Sequence, residues 1–338
     1  MNKSSGMITF FLLLALCTTL YSSEHFRLQA TGEGGVFLTD AYGDNSIFRM
    51  IGNLRYYKTF PRTYFQLKMR LAPEVYDEKI AASAVKTKTA LTFGGHNDVL
   101  VAWRFNLNHR YYFYNLGLSG HLQYHILYFS AQASWPHKKR STWLAQTGYF
   151  FRDIRGRPYT RLLSYAAQGG IGGYFMDLVN YQLKLYLEHF SIRAAASFTD
   201  NTRNRGIRFG PLLSIQYSRD YLFNASYLLI FEDNLINKKI LTEHNIRLVA
   251  GKYLSDRLSL FVYLKYFIRS SEEVVDEPLT YTPLDSENWF YAKAGYDVSN
   301  SAEFFLRLGY ITDTLPGRKE ELGGWQVLAG IHYIFGRE

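Results

Sequence analysis

The stretch from Trp325 to Phe335 reads WQVLAGIHYIF and alternates between two kinds of side chain. One parity is apolar with aromatic ends: Trp325, Val327, Ala329, Ile331, Tyr333 and Phe335. The other parity is mixed and includes Gln326, Gly330 and His332. Because successive side chains of a β-strand point to opposite faces, this stretch is predicted to be a strand with one apolar face. An apolar face with aromatic ends is typical of a strand that crosses lipid.

The composition excludes two common classes of protein. The 338 residues include 28 Tyr and 25 Phe, and the mean hydropathy is -0.17. An ordinary soluble domain does not need so many aromatic residues, and a helical membrane protein is more hydrophobic overall. After the first residues, no stretch approaches the roughly 18 consecutive apolar residues of a membrane-spanning helix.

The N-terminus has the pattern of a secretory signal. Lys3 supplies a positive charge, and the run from Met7 to Leu20 contains no charged residue. Small residues follow at Ser22 and Ser23, so we expect a cleaved signal peptide at 1–23 and a mature barrel chain at 24–338. A transmembrane anchor is the alternative, but the run is shorter than the roughly 20 residues that a spanning helix needs.

The single cysteine, Cys17, lies within that apolar run. A lipoprotein signal carries a small residue directly before its cysteine, whereas this chain has Leu16 there. We therefore expect no lipidation, and a mature chain without disulfides or thiol chemistry.

Segments of about ten residues with period two recur along the chain, separated by polar connections. Three regions are less clear. We interpret Ala72 to Asp98 as one long outer loop with room for a hairpin, and residues 108–110 as a turn into a strand over 112–128. The glycines between Gly169 and Gly173 are interpreted as a loop or bend. The pattern predicts an all-β antiparallel barrel of about sixteen strands, within a range of about 12 to 16, with both termini periplasmic.

With these features, the chain resembles a bacterial outer-membrane β-barrel protein of porin-like size. The resemblance covers essentially the whole mature chain and rests on pattern, without a family-specific motif. It implies insertion in the outer membrane of a Gram-negative bacterium, among lipid and lipopolysaccharide. In that class an aromatic residue near the end of the last strand is recognised by the barrel assembly machinery. Trp325, Tyr333 and Phe335 of the closing strand are the candidates here, although Gly336, Arg337 and Glu338 follow.

The predicted inward parity is rich in cations. A charge facing lipid costs roughly 2 to 4 kcal/mol at mid-depth for Arg or Lys, so these residues are expected to line a lumen. The predicted lining residues are Arg49, Arg55, Lys68, Arg70, Arg104, Lys184, Arg193, Arg208, Arg247, Lys265, Arg269, Lys293 and Arg307. The predicted inward acids are fewer: Glu33, Glu188, Glu243 and Asp297. Aromatic residues at Phe261, Tyr263 and Phe267 either stack on sugar rings or fill space.

Other candidate sites do not have the required geometry. His121 and His125 would share a metal on a helix, but on a strand they lie about 13 Å apart, so we expect lumen polar residues instead. Ser218 with Asp220, and His189 with Ser191, are predicted at periplasmic turns without a nucleophile elbow. No catalytic site, metal site or cofactor is predicted. The formal net charge of +9 alone would allow a nucleic-acid partner. No basic run with interleaved aromatics supports one.

Three functions remain open on these observations. The first is a channel for passive diffusion of small anionic or polar solutes, because rings of Arg and Lys favour anions in pores. The second is a non-conducting surface barrel that acts through its loops in adhesion or partner binding. The third is an export barrel for saccharide with a periplasmic partner. The pattern also leaves open whether the chain forms a homo-oligomer.

Overall fold

The computed structural model describes residues 26–39, 43–76, 83–97, 101–115, 121–138, 140–155, 159–175, 178–195, 201–236, 240–270, 288–313 and 322–335. The predicted signal peptide lies outside these residues. The strands are β1 Phe26–Thr39, β2 Gly43–Thr59, β3 Thr63–Tyr76, β4 Ser83–His96, β5 Ala102–Asn115, β6 His121–Lys138, β7 Ser141–Arg155, β8 Tyr159–Phe175, β9 Val179–Ala195, β10 Asn201–Ser218, β11 Leu222–Asn234, β12 Leu241–Tyr253, β13 Leu258–Ser270, β14 Asn288–Ser299, β15 Ala302–Asp313 and β16 Leu322–Phe335. No helix among the described residues is long and apolar enough to cross a membrane.

The sixteen strands form one closed antiparallel barrel, as the alternation predicts. Each strand pairs with its neighbours in sequence, and β1 closes the sheet against β16. The closing register joins Glu33 to Gly330, while the β1–β2 register joins Glu33 to Arg49. Closure removes every sheet edge, so all ladder hydrogen bonds are made within the sheet.

The outward face carries an apolar belt. Leu183, Leu185 and Leu187 of β9 are exposed by 50%, 70% and 55%, and Leu306 and Leu308 of β15 are each exposed by 50%. In water such a continuous belt would promote association, whereas in a bilayer it is the contact surface for acyl chains. The belt therefore identifies a transmembrane barrel.

The connections differ between the two ends of the barrel. At the end where β1 begins and β16 ends, called here the terminal end, they are short, for example residues 60–62, 219–221 and 300–301. At the opposite end they reach the length of 271–287. Outer-membrane barrels have short periplasmic turns and longer external loops. The terminal end is accordingly assigned as periplasmic and the opposite end, called here the outer end, as external.

Three sequence interpretations of strand boundaries are wrong. The region interpreted as one loop contains the end of β3 and all of β4, which pair from Thr63↔Gly95 to Val75↔Ser83. The predicted turn at 108–110 lies inside β5, and the predicted strand over 112–128 is divided between β5 and β6. Pro73 and the adjacent acids hid the end of β3, since proline is rare within strands.

The glycine-rich segment is also a strand. Gly169 to Gly173 belong to β8, and a Cβ atom on Gly170 would lie 2.0 Å from the carbonyl oxygen of Leu183. The glycine permits this close approach between β8 and β9. The missing side chains removed the alternation that a sequence pattern needs, so the loop interpretation was wrong.

Candidate functional site: the barrel lumen

All of the predicted lining residues except Arg193 lie on the inward face of the sheet. Residues directly opposite each other in a ladder face the same side, and the face alternates along each strand. Arg247 pairs with Lys265, Lys293 pairs with Arg307, and Arg208 pairs with Glu188, so these residues share the lumen side. Their role in transport stays a prediction.

Arg193 faces outward, which corrects the prediction. It has the opposite parity to Lys184 and Glu188 within β9 and is exposed. Its neighbours Ile192 and Ala194 point inward instead and are 1% and 4% exposed. The sequence rule of apolar outside and polar inside fails here because this part of the lumen is itself apolar.

A buried ion cluster joins β9 to β13 across the inner wall. The Arg208 guanidinium lies 2.9 Å from Glu188, 3.2 Å from Glu232 and 2.6 Å from Glu243. Arg269 also contacts Glu243, at 2.9 Å. The four inner members of this cluster, Arg208 and the three glutamates, are at most 2% exposed. With Arg269 the cluster holds two cations and three carboxylates, so its arginines add no net positive charge to this part of the wall.

A second ion group, of three cations and two glutamates, lies on β1 to β4 and β15. Arg49 contacts Glu33 at 3.0 Å and Glu74 at 2.9 Å. Lys86 contacts Glu74 at 3.0 Å, and Arg307 contacts Glu33 at 3.2 Å. Both glutamates are buried and each is shared by two cations.

Sequence reasoning missed three acids that neutralise lumen cations. Glu74 was hidden inside the presumed loop. Glu303 contacts Lys293 at 2.8 Å. Glu232 follows outward-facing Phe231 and therefore has inward parity, so the alternation in β11 was a signal that could have found it. Predicted Glu33, Glu188 and Glu243 do face the lumen and pair with cations.

A further group of cations gathers on β2 to β5. The register places Arg55 opposite Lys68, and it aligns Arg70, Lys88 and Arg110 in one row across three strands. These five residues line one cavity of about 360 Å³, and no acidic residue is among the described residues that line it. We call these five residues together with Arg104 the lumenal basic strip. The Nε of Arg104 donates to the Tyr64 hydroxyl at 3.0 Å.

Like charges directly opposite each other in a sheet are destabilising. The alignment of Arg70 with Lys88, and of Arg55 with Lys68, is therefore an energetic cost within the fold. Water or an anion in the cavity would relieve that cost. The strip is thus the part of the inner wall best suited to attract an anion.

An apolar cluster occupies the outer half of the lumen on β6 to β9. Its buried members are Tyr124, Ile126, Phe150, Ile154, Leu162, Phe190, Ile192 and Ala194. Ile236, from the connection between β11 and β12, packs against the cluster. The cluster narrows the lumen on this side, so the barrel is not an empty cylinder.

The position of the apolar cluster shows that the predicted orientation of two histidines is also wrong. Tyr124 and Ile126 point inward, so His121 and His125, of opposite parity, face outward and are not lumen residues. The ring of His125 lies 4.8 Å from that of Tyr111 and 6.5 Å from that of His109. Several inward residues of β6 are apolar, so the polarity of its side chains does not distinguish the inward face from the outward face.

On the periplasmic side of the apolar cluster, the lumen widens into a cavity of about 610 Å³. Its lining runs from Asn108 and Arg110 on β5 to Asn245 and Arg247 on β12. The cavity is therefore bordered by about half of the barrel wall. Hydroxyl, amide and charged groups alternate with apolar atoms on that wall, which suits a hydrated solute.

A row of aromatic rings follows β12 to β14 on the lumen side. Tyr253 contacts Phe261 at 5.9 Å between ring centroids, Phe261 contacts Tyr263 at 6.3 Å, and Tyr263 stacks on Tyr291 at 4.6 Å. Trp289 continues the row at 5.2 Å from Tyr291. Of the predicted aromatics, Phe261 and Tyr263 belong to this row.

The candidate catalytic pairs are not assembled. His189 and Ser191 lie within β9 on its outward face, not at a turn as predicted. Ser218 ends β10 at a short periplasmic connection, as predicted for this pair. Among the described parts of the chain, no group of three or more His, Cys, Asp or Glu residues could hold a metal ion.

The closing-strand candidates share the outward face of β16. Trp325, Tyr333 and Phe335 are all exposed, and the rings of Tyr333 and Phe335 lie 4.3 Å apart. Trp325 packs edge-on against Tyr310 of β15. Their recognition by the assembly machinery stays a prediction.

No family model matches this chain, and no curated protein matches it. Solved structures of barrels do match. OmpT, an outer membrane protein of Vibrio cholerae, is 14% identical, with 92% of this chain and 96% of that chain covered and a TM-score of 0.46. OccK2 (OpdF) of Pseudomonas aeruginosa is 10% identical, with 92% and 97% covered and a TM-score of 0.38. The siderophore receptor PirA from Pseudomonas aeruginosa is 10% identical, with 93% and 80% covered and a TM-score of 0.40.

Similarity at this level supports no inference about function. The closed sheet, its outward apolar belt and its pattern of connections are independent of it. Only helices and closed barrels satisfy every backbone group within lipid, and barrels of this kind belong to outer membranes. The chain is a multi-pass β-barrel of the outer membrane of a Gram-negative bacterium.

Proposed function

We propose that this barrel is a channel for passive diffusion of small anionic or polar solutes. The observation that carries the proposal is the lumenal basic strip, where cations line a cavity that has no acidic residue in its described lining. In the other described ion groups of the wall, cations contact glutamates directly, whereas the described lining of this cavity contains no carboxylate. Rings of Arg and Lys favour anions in the same way in other pores.

The apolar cluster sets a limit on the proposed pore. Because Ile236 and its partners occupy one side of the outer half, we place the proposed path for solutes at that level along β1 to β5 and β12 to β16. That route passes the basic strip and the aromatic row. A small solute is therefore favoured over a large one.

Conductance in planar bilayers tests the proposal. The refolded mature chain is expected to give steady steps, and a salt gradient is expected to give a reversal potential directed by the anion. The double variant Lys68→Glu, Arg70→Glu should move that potential toward cation preference. The variant Lys252→Glu, Arg257→Glu carries the same change in charge at the periplasmic end, outside the lumen, and should leave the potential nearly unchanged.

Two results would contradict the channel. Equal reversal potentials in both double variants would show that the basic strip does not contact the ion path. A demonstrably folded barrel without conductance steps would indicate a plugged lumen, and would favour a surface barrel that acts through its loops.

The aromatic row favours a second candidate, the passage of saccharides. Aromatic faces can stack on sugar rings, and five rings from Tyr253 to Trp289 form a continuous series along the wall. Oligosaccharides added to the bilayer chamber should then block the conductance transiently, and Tyr263→Ala should shorten the blocks. Unaltered current at millimolar oligosaccharide would exclude this candidate.

A further inference from the structure

A row of arginines crosses the lipid side of the barrel near its outer end. Arg161 of β8, Arg193 of β9 and Arg203 of β10 occupy directly opposite positions in neighbouring ladders. All three are exposed, as are Arg155 at the end of β7 and Arg205, two residues beyond Arg203. We call these five residues the outer arginine cluster. None of them lines the lumen, so the proposed channel does not use them.

The cluster lies at the upper edge of the apolar belt. On β10, Ile207 and Phe209 are exposed, and Arg205 is the next outward residue toward the outer end. On β9, Arg193 lies six residues beyond Leu187, or about 20 Å along the strand at roughly 3.3 Å per residue. Lipid headgroups lie at this level, just above the acyl chains that the belt contacts.

Few of the described carboxylates lie near the outer arginine cluster. Asp153 accepts from Arg155 at 3.2 Å, from Arg161 at 3.3 Å and from the Tyr159 hydroxyl. Asp233 of β11 faces outward opposite Ile207 and is the other nearby acid in the described strands. In the part of the chain that the structure describes, no carboxylate contacts Arg193, Arg203 or Arg205.

Neighbouring strands lie only about 4.8 Å apart, and like charges directly opposite each other are destabilising. Arg193 and Arg203, which contact no carboxylate among the described residues, would therefore be stabilised by an added anion. A guanidinium presents paired N–H donors that match two oxygens of a phosphate group. The spacing of the row suits a ligand with more than one phosphate.

We infer that the outer arginine cluster binds the phosphate groups of lipopolysaccharide in the outer leaflet. The phosphates would lie on Arg161, Arg193 and Arg203, and the acyl chains would pack below them on Tyr165 and Leu187, which are 62% and 55% exposed. This continuity between the cations and the apolar belt favours a lipid over a free anion. The inference rests on the placement in the outer membrane and is independent of what the lumen conducts.

Binding of purified lipid A to the refolded mature chain in detergent tests the inference. The probes are bisphosphorylated lipid A, the same lipid after enzymatic removal of its phosphates, and inorganic phosphate. The test variant is Arg193→Gln, Arg203→Gln, Arg205→Gln, which leaves the contacts of Asp153 intact. The matched control is Arg219→Gln, Lys252→Gln, Arg257→Gln, which removes the same charge at the periplasmic end.

The wild-type chain and the control are expected to bind bisphosphorylated lipid A equally, with the test variant at least about tenfold weaker, since contacts between charged groups are the strong ones. Removal of the phosphates should weaken binding to the wild-type chain by a similar factor. If the triple variant does not fold, as judged by heat-modifiable migration on gels, Arg203→Gln alone should bind about threefold more weakly.

Equal affinity in the wild-type chain and the folded test variant would overturn the inference. Equal binding of intact and dephosphorylated lipid would show that only the apolar belt is recognised. Displacement of the lipid by low millimolar inorganic phosphate would indicate a simple anion site. Both of those results would also overturn the assignment to lipopolysaccharide.

Discussion

At the scale of single residues, Arg208 is the charge on which the inner wall between β9 and β12 depends. One guanidinium contacts Glu188, Glu232 and Glu243, and all four side chains are buried. A buried ion pair need not stabilise a fold more than apolar residues would. Removal of one partner is different, because it leaves buried charge without compensation.

We predict that Arg208→Gln lowers the free energy of unfolding by about 3 to 5 kcal/mol, the cost of breaking a buried ion pair from one side. Urea titration of the barrel in lipid vesicles, followed by tryptophan fluorescence, measures the change. Arg219→Gln, at an exposed periplasmic turn, should change it by no more than about 0.5 kcal/mol. Equal midpoints for the two variants would show that Arg269 replaces the lost charge.

At the scale of strands, two adjacent glycines of β8 have opposite surroundings. A Cβ atom on Gly170 would lie 2.0 Å from the Leu183 carbonyl oxygen, whereas one on Gly169 would have no atom within 4 Å. Only Gly170 has to be a glycine for β9 to approach this closely. Gly169 faces the lipid side, where a methyl group has space.

We therefore predict that Gly170→Ala destabilises the barrel by about 1 to 3 kcal/mol, the usual cost of overpacking, while Gly169→Ala is neutral. The same urea titration compares the two variants. Equal stability of both would mean that the β8–β9 ladder shifts to accommodate the extra methyl group.

The lumenal apolar cluster gives a second prediction at this scale. Phe190 is fully buried in it, while Leu187 of the same strand faces lipid. Phe190→Ala should cost about 3 to 5 kcal/mol and should also raise the single-channel conductance, because the cluster narrows the lumen. Leu187→Ala should leave the conductance unchanged. Unaltered conductance in the folded Phe190 variant would show that the cluster does not limit the width of the solute path.

At the scale of the whole molecule, the order of the strands assigns each connection to one end. Residues 254–257 lie at the end where β1 begins and β16 ends, and Leu235 lies at the opposite end. The lengths of the connections identify the second end as external. This assignment also decides which leaflet the outer arginine cluster contacts.

We predict that a membrane-impermeant maleimide labels Leu235→Cys but not Asp256→Cys on intact cells. Cys17 is the only cysteine of the chain and is changed to Ser in both variants. Both cysteines should react once the cells are lysed. Labelling of Asp256→Cys alone on intact cells would show that the barrel has the opposite orientation in the membrane, with the arginine cluster in the inner leaflet.

The sequence by itself determined the class of fold, because apolar and polar side chains alternate with a period of two along a strand that has one face toward lipid. Leu183 to Leu187 and the closing strand show that period clearly, and the structure confirms a sixteen-stranded barrel. It also indicated most of the inward cations, since alternation separates charge from an apolar face. The pattern within one strand could not show which acids pair with these cations, because Glu232 and Glu243 contact Arg208 from other strands.

Only the tertiary structure decided the orientation of β6 and of the outer part of β9. There the lumen is apolar, so Tyr124 and Ile192 face inward, and the polarity of a residue no longer reveals its side. The same inversion turned Arg193 outward, beside Arg161 and Arg203, which are distant in sequence but adjacent through the register of the ladders. A cluster of that kind depends on which strands pair and in which register, and that is settled only when the sheet closes.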